Sequence, residues 1–169
     1  MKWIGFLLVL AGTGGVGLSL AGEYNMRIQT LRRIRDMMHY INDLILYEYA
    51  SLPEAFAKTS QRMEAPFSDF LAKVAVQLEE FSGEDVSFLW KNNAQMLKDI
   101  MKKKDFAEFT ECMKQTGFSD AKGQSQALKA YEQRLELLLH RLTEEKEEKC
   151  RLYRTLGIMS GVFVCILLF

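Results

Sequence analysis

Proline is nearly missing from this chain: Pro53 and Pro66 are the only two. Little therefore interrupts a helix, and plentiful Leu, Ala, Glu, Lys, Met and Gln favour one. Histidine is equally scarce. His39 and His140 each sit inside a helix-periodic stretch with no second ligand at metal spacing, so no metal centre is expected. The three cysteines, Cys112, Cys150 and Cys165, are odd in number and scattered. They form no disulfide framework or zinc motif and read as free thiols in a reducing compartment. There is no P-loop, no nucleophile elbow and no Cys/His pair, so neither catalysis nor a cofactor is indicated. Lys plus Arg and Asp plus Glu both number 22, so no global field points to nucleic acid.

Charge is also absent from both ends, and there the absence is informative. Trp3 to Gly22 is an uncharged run of 20 residues, about the length a membrane helix needs. Its glycines weaken a helix in water, but membrane helices tolerate them and use them for close contacts. Leu156 to Phe169 is a second uncharged run, of 14 residues. It gives only about 21 Å of helix, which Leu152 and Tyr153 can lengthen while Arg151 and Arg154 snorkel to the interface. Gly157 and Gly161 within it have the small-residue spacing that lets membrane helices approach closely. Basic residues crowd the inner flanks: Arg27, Arg32, Arg33 and Arg35 after the first run, Lys146, Lys149, Arg151 and Arg154 before the second. The positive-inside bias then puts about residues 24–155 in the cytoplasm, with both termini outside. The expected division is 1–22 as an amino-terminal transmembrane helix, 23–154 as a cytoplasmic helical bundle and 155–169 as a carboxy-terminal transmembrane segment.

Two other readings of the first run compete. Ser19-Leu20-Ala21 resembles a signal-peptide cleavage site, which would make the chain an exported helical binding domain held by its tail. The arginines just downstream would then have to cross the membrane. Gly12-Thr13-Gly14-Gly15-Val16-Gly17 matches a dinucleotide fingerprint, with Asp36 about 20 residues on. That fingerprint works only inside a βαβ unit, and the residues before Asp36 are helix-periodic and charged.

Between the runs the apolar residues recur at helical spacing. Ile28, Leu31, Ile34, Met38, Ile41, Leu44 and Ile45 predict a helix from about Tyr24 to Glu48. Ser51-Leu52-Pro53-Glu54 is a capping box opening a second, to about Met63. Pro66 starts a third with Phe67, Phe70, Leu71, Val74, Leu78 and Phe81 on one side. Ser82 to Asp85 breaks and re-caps the chain for a fourth, to about Met101, carrying Val86, Leu89, Trp90, Met96, Leu97 and Ile100. Lys102-Lys103-Lys104 suits the carboxyl end of that helix. A fifth spans Asp105 to Thr116 and stops at Gly117. The sixth starts near Ser119 or Asp120 and runs unbroken through Leu128, Tyr131, Leu135, Leu138, Leu139 and Leu142 toward the second apolar run. The fold class is all-α, a six-helix bundle between two membrane segments. Its acidic pairs, such as Glu79-Glu80 and Glu144-Glu145, solvate helix surfaces.

Tyr47-x4-Leu52-Pro53-Glu54-Ala55, then Gly117-x2-Asp120-x3-Gln124, then Lys149-x3-Tyr153-Arg154-x-Leu156-Gly157 and an apolar tail, together resemble the stage III sporulation protein AB family of spore-forming bacteria. The resemblance covers the whole chain. It departs where the family carries an acidic residue three places before the tyrosine; here that position is Leu44, with Asp43 beside it. The family's soluble part is similar to the cytoplasmic domain of the inner-membrane platform (F) proteins of type II secretion and type IV pili. The resemblance implies a non-enzymatic platform of the channel between mother cell and forespore. It implies location in the mother-cell membrane around the forespore, with the lipid bilayer, a secretion-type ATPase and other channel membrane proteins as partners, and it leaves homo-oligomerisation open. Gly117, Asp120 and Gln124 match its strongest motif. Gly117 ends one helix, Asp120 caps or contacts the start of the next and Gln124 bonds across the loop, with partner contact as the other role.

Overall fold

A computed structural model describes the backbone of residues 2–80, 85–115 and 121–168; side chains are described from Gly22 onward, apart from a few near the breaks and most beyond Leu152. Every described element is helical: α1 (Lys2–Tyr47), α2 (Leu52–Ser60), α3 (Phe67–Glu80), α4 (Val86–Asn93), α5 (Lys103–Glu111) and α6 (Ala121–Leu168). Two 3-10 segments, Ala94–Ile100 and Cys112–Gln115, follow α4 and α5. The chain divides into two compact units, Thr30–Leu137 and the pair of stretches Met1–Gln29 with Leu138–Phe169.

Two helices are longer than a strict division of the chain would give. α1 begins at Lys2, so the glycine-rich run and the amphipathic helix after it are one element. The absence of proline is the reason: each glycine weakens a helix by about 1 kcal/mol, whereas a proline removes a bond outright. The Gly12–Gly17 segment is therefore helical backbone and not a phosphate-cradling loop, and no strand is present among the described residues. α6 likewise runs unbroken for 48 residues.

In the Thr30–Leu137 unit the core is built by periodicity. Leu31, Ile34, Met38, Ile41 and Ile45 of α1 are fully buried, with Met37 beside them. Leu52, Ala55 and Phe56 of α2 and Phe67, Phe70, Leu71 and Val74 of α3 are buried, and the two helices pack together. Trp90 is the centre of an aromatic cluster. Its ring lies 4.6 Å from Phe70, nearly perpendicular to it, 5.0 Å from Phe109 and 5.6 Å from Phe56. Such spacing and tilt suit the ring quadrupoles. The indole Nε1–H donates to the Phe109 carbonyl at 2.9 Å, which satisfies the one polar atom this side chain takes into the core.

Local chemistry sets most helix ends. Ser51 is the N-cap of α2, its hydroxyl accepting from the Glu54 N–H, with Pro53 in the first turn. Asp85 caps α4 by accepting from the Ser87 N–H at 2.9 Å. The fourth helix is shorter than its apolar pattern predicts. Asn93 ends it, its amide donating to the Leu89 carbonyl at 2.8 Å and to Gln77 at 2.6 Å, a side-chain competition with the helical ladder. The tighter turn beyond shifts the phase, so that Ala94 and Leu97 are buried while Met96 and Ile100 are exposed. The lysine run is not where its charge would favour it either: Lys103 and Lys104 open α5, with Lys102 as an N-cap that makes no side-chain capping hydrogen bond. Phe81 lies outside the described residues.

In the other unit α1 and α6 are antiparallel neighbours. Lys146 donates to the Asn25 amide oxygen at 2.6 Å, and Lys149 donates to the Tyr24 hydroxyl with its ammonium 4.8 Å from the ring centroid. Ile28, Leu139 and Leu142 are buried there.

Candidate functional site

Within the Thr30–Leu137 unit, α1 and α6 meet through polar groups that no single-helix pattern reveals. The buried Ser125 hydroxyl donates to the Asn42 amide oxygen at 2.7 Å, a bond joining residues 83 apart in sequence. His39 stands between two carboxylates, its Nδ1 at 3.1 Å from Glu132 and its Nε2 at 3.4 Å from Asp43. His39 itself is exposed, a surface residue on the seam between the two helices. Both ring nitrogens face carboxylates, and among the described residues no group of three or more His, Cys, Asp and Glu is placed to hold a metal ion.

The corner between α1 and α2 carries the first of the sequence motifs. α1 ends with Tyr47, and Tyr49 follows with φ 55°, in the left-handed region that glycine usually occupies at a helix end. That turn lets the Ala50 N–H reach back to the Leu44 carbonyl at 3.1 Å. Leu46, Tyr47 and Tyr49 are exposed, Tyr49 to 87%. Lys58 of α2 bridges Glu48 at 2.9 Å and Glu54 at 3.1 Å. Those two acceptors, Glu48 first, raise the Lys58 ammonium above its ordinary value. On the same stretch of α1, Arg62 lies over the Tyr40 ring, 5.2 Å from its centroid.

The basic residues of the first flank have different surroundings. Arg33 pairs with Glu64 at 2.8 Å and Arg35 with Asp36 at 2.7 Å. The hydrogen bonds that Arg35 donates to Asp36 raise its guanidinium against the opposing effect of its partial burial. Arg27 is half-buried and engaged, and Arg32 is exposed. On the second flank Lys149 contacts Tyr24 and Arg151 is exposed, while the Arg154 side chain lies outside the described residues. Gly157 and Gly161 belong to α6, but their surroundings are likewise outside. So are Gly117 and Asp120. Gln124 is half-buried and engaged in the first turn of α6.

A groove of about 470 Å³ lies between α5 and α6. Glu108, Glu111, Lys114 and Arg134 put both signs of charge on it, beside Cys112 and Tyr131. Lys114 holds the Glu111 carboxyl below its usual range. Burial pushes both the Cys112 thiol and the Tyr131 phenol far up, so each stays protonated. The thiol donates to the Phe109 carbonyl at 3.0 Å. A protonated thiol is a poor nucleophile, and the groove offers no activated group.

Sequence spacing could have found part of this surface. His39 and Asp43 are four apart and share a helix face. Nothing local pairs Asn42 with Ser125, because that contact exists only once α6 has folded against α1.

Comparison with known proteins gives one family. Residues 2–169 match the family model described as Stage III sporulation protein AB. A solved structure titled "Stage III sporulation protein AB (SpoIIIAB)" is similar to 73% of this chain and 98% of its own length, at a TM-score of 0.63 and 17% identity. That identity supports a shared fold. No curated protein matches.

Proposed function

The chain belongs to the stage III sporulation protein AB family and is a sporulation protein, and from that premise we propose that it is a non-enzymatic platform of the channel between mother cell and forespore. It docks a cytoplasmic secretion-type ATPase and ties it to membrane components of the channel. The observation that carries this reading is the extent of the family match, residues 2–169, which takes in both terminal apolar runs as well as the helical bundle. The family is a sporulation family and not a known enzyme class.

On this reading the two apolar runs hold the chain in the mother-cell membrane around the forespore. Among the described residues no helix is long and apolar enough to cross a membrane, and the side chains of Trp3–Ala21 and most of those beyond Leu156 are outside that set. Support for anchoring comes from the uncharged composition of the runs and their basic inner flanks. Both α1 and α6 continue as helix into an apolar run, which suits a bundle whose movements are transmitted to the bilayer. The test is capture of the channel ATPase by the full-length chain in membranes. Saturable retention is expected, and its absence with folded protein on the beads would overturn the docking role.

A further inference from the structure

Among the described residues of the Thr30–Leu137 unit, Phe88 of α4 is exposed to 61%, and the other exposed aromatic residues lie on one short stretch at the end of α1. Tyr47 and Tyr49 are exposed to 72% and 87%, and Leu46 and Tyr40, on the preceding turns of α1, to 40% and 37%. Tyr49 is also the positive-φ residue other than glycine among the described residues. A bulky side chain at φ 55° is disfavoured, since Cβ crowds the backbone there; such strain persists only where the surrounding structure holds it, and it clusters at functional sites. A glycine would close this corner more easily and would expose no ring to water. Two independent costs, strain and aromatic exposure, thus fall on one residue, and no burial of its ring offsets them.

The charge around these rings identifies what fits them. No Lys or Arg occurs between Arg35 and Lys58, while Asp36, Asp43, Glu48 and Glu54 lie in that interval. The side chains of Asp43, Glu48 and Glu54 are each about half exposed. Lys58 answers two of these carboxylates with one charge, which leaves the corner acidic. Exposed tyrosine faces among carboxylates suit a cation that can stack on a ring and pair with an acid at once. The chain makes that contact internally on the same stretch, where Arg62 lies over Tyr40.

We propose that the α1–α2 corner, with Tyr47 and Tyr49 at its tip and Glu48 and Glu54 beside them, is a docking surface for an arginine- or lysine-bearing protein segment. The proposal rests on the reading of the chain as a docking protein and names the face and the chemistry of its partner.

The full-length chain in uncharged detergent micelles tests it by fluorescence anisotropy. The probe is a labelled alanine-based helical peptide with arginines along one face; the control is the same peptide with glutamates in their place. Saturable binding of the arginine peptide alone is expected. The double change Tyr47→Ser with Tyr49→Gly should weaken it about tenfold or more, and Tyr49→Phe, which keeps a ring, should retain it. Tyr49→Gly should melt at the wild-type temperature or above, since glycine relieves the strain at φ 55°. Equal binding of the glutamate peptide, unchanged affinity in the double variant, or a melting temperature for Tyr49→Gly several degrees lower would each overturn the proposal. The platform reading fails separately: wild-type membranes that bind the arginine peptide but never capture the ATPase would overturn it alone. ATPase capture indifferent to Tyr47 and Tyr49, together with tyrosine-independent peptide binding, would overturn only the surface proposed here.

Discussion

At the scale of single residues, the polar pair Asn42–Ser125 is a buried hydrogen bond between α1 and α6. Both side chains are buried, and their bond is 2.7 Å. A buried polar group left without its partner costs about 1–3 kcal/mol, whereas removing both groups costs less than the sum of the single changes. Asn42→Ala and Ser125→Ala should therefore each lower the unfolding free energy by about 1–3 kcal/mol. The double variant should fall short of additivity, as read by chemical denaturation of the full chain in micelles. Strict additivity would mean that the bond contributes nothing. The core around Trp90 follows a different logic. Its position in the apolar pattern marks it as buried, but its satisfaction by the Phe109 carbonyl depends on where α5 stops. Similarly, the sequence marks Cys112 only as a free thiol, and its protonation is set by the packing that buries it.

At the scale of elements, caps and breakers account for the start of α2 and of α4, both legible from Ser51 and Asp85. α5 is the exception. Its first turn holds Lys103 and Lys104 as well as the buried Asp105, and its N-cap Lys102 makes no side-chain capping hydrogen bond. Positive charge near the exposed N–H groups opposes the helix dipole by about 0.3–1 kcal/mol per residue at low salt. Lys103→Glu is therefore expected to stabilise the chain by about that amount, with the gain shrinking as salt rises, as a salt series of thermal melts would record. A loss of stability would mean that Lys103 is engaged elsewhere. Periodicity alone carries the fourth helix through to Met101, which makes the lysine run the natural complement of its carboxyl end. What stops that helix early is Asn93, whose amide reaches both Leu89 and Gln77. Gln77 is on another helix, so the signal is tertiary.

At the scale of the whole chain, topology is the property on which the proposed function depends, and the structure identifies a reporter for it. Cys112, half-buried with its thiol bonded to the Phe109 carbonyl, is a slow reporter, whereas Cys150 is exposed on α6 near the second basic flank. With the middle of the chain in the cytoplasm, an impermeant maleimide should leave Cys150 unmodified in intact cells and modify it quickly after permeabilisation. Ready modification from outside would overturn the topology and favour an exported domain. The sequence by itself determined the all-helical class, the family and the two uncharged ends with their basic flanks. Each of these is written in local composition or in spacing along one strand of chain: scarce proline, apolar residues three and four apart, and motifs in a fixed order. Only the tertiary structure decided that His39 lies between Asp43 and Glu132, that Asn42 bonds Ser125, and that Tyr49 is held in a glycine-like turn with its ring in water. The physical reason is that these features depend on which helix faces meet and on how the chain turns between them. Periodicity reports which side of a helix is buried, but not what it is buried against.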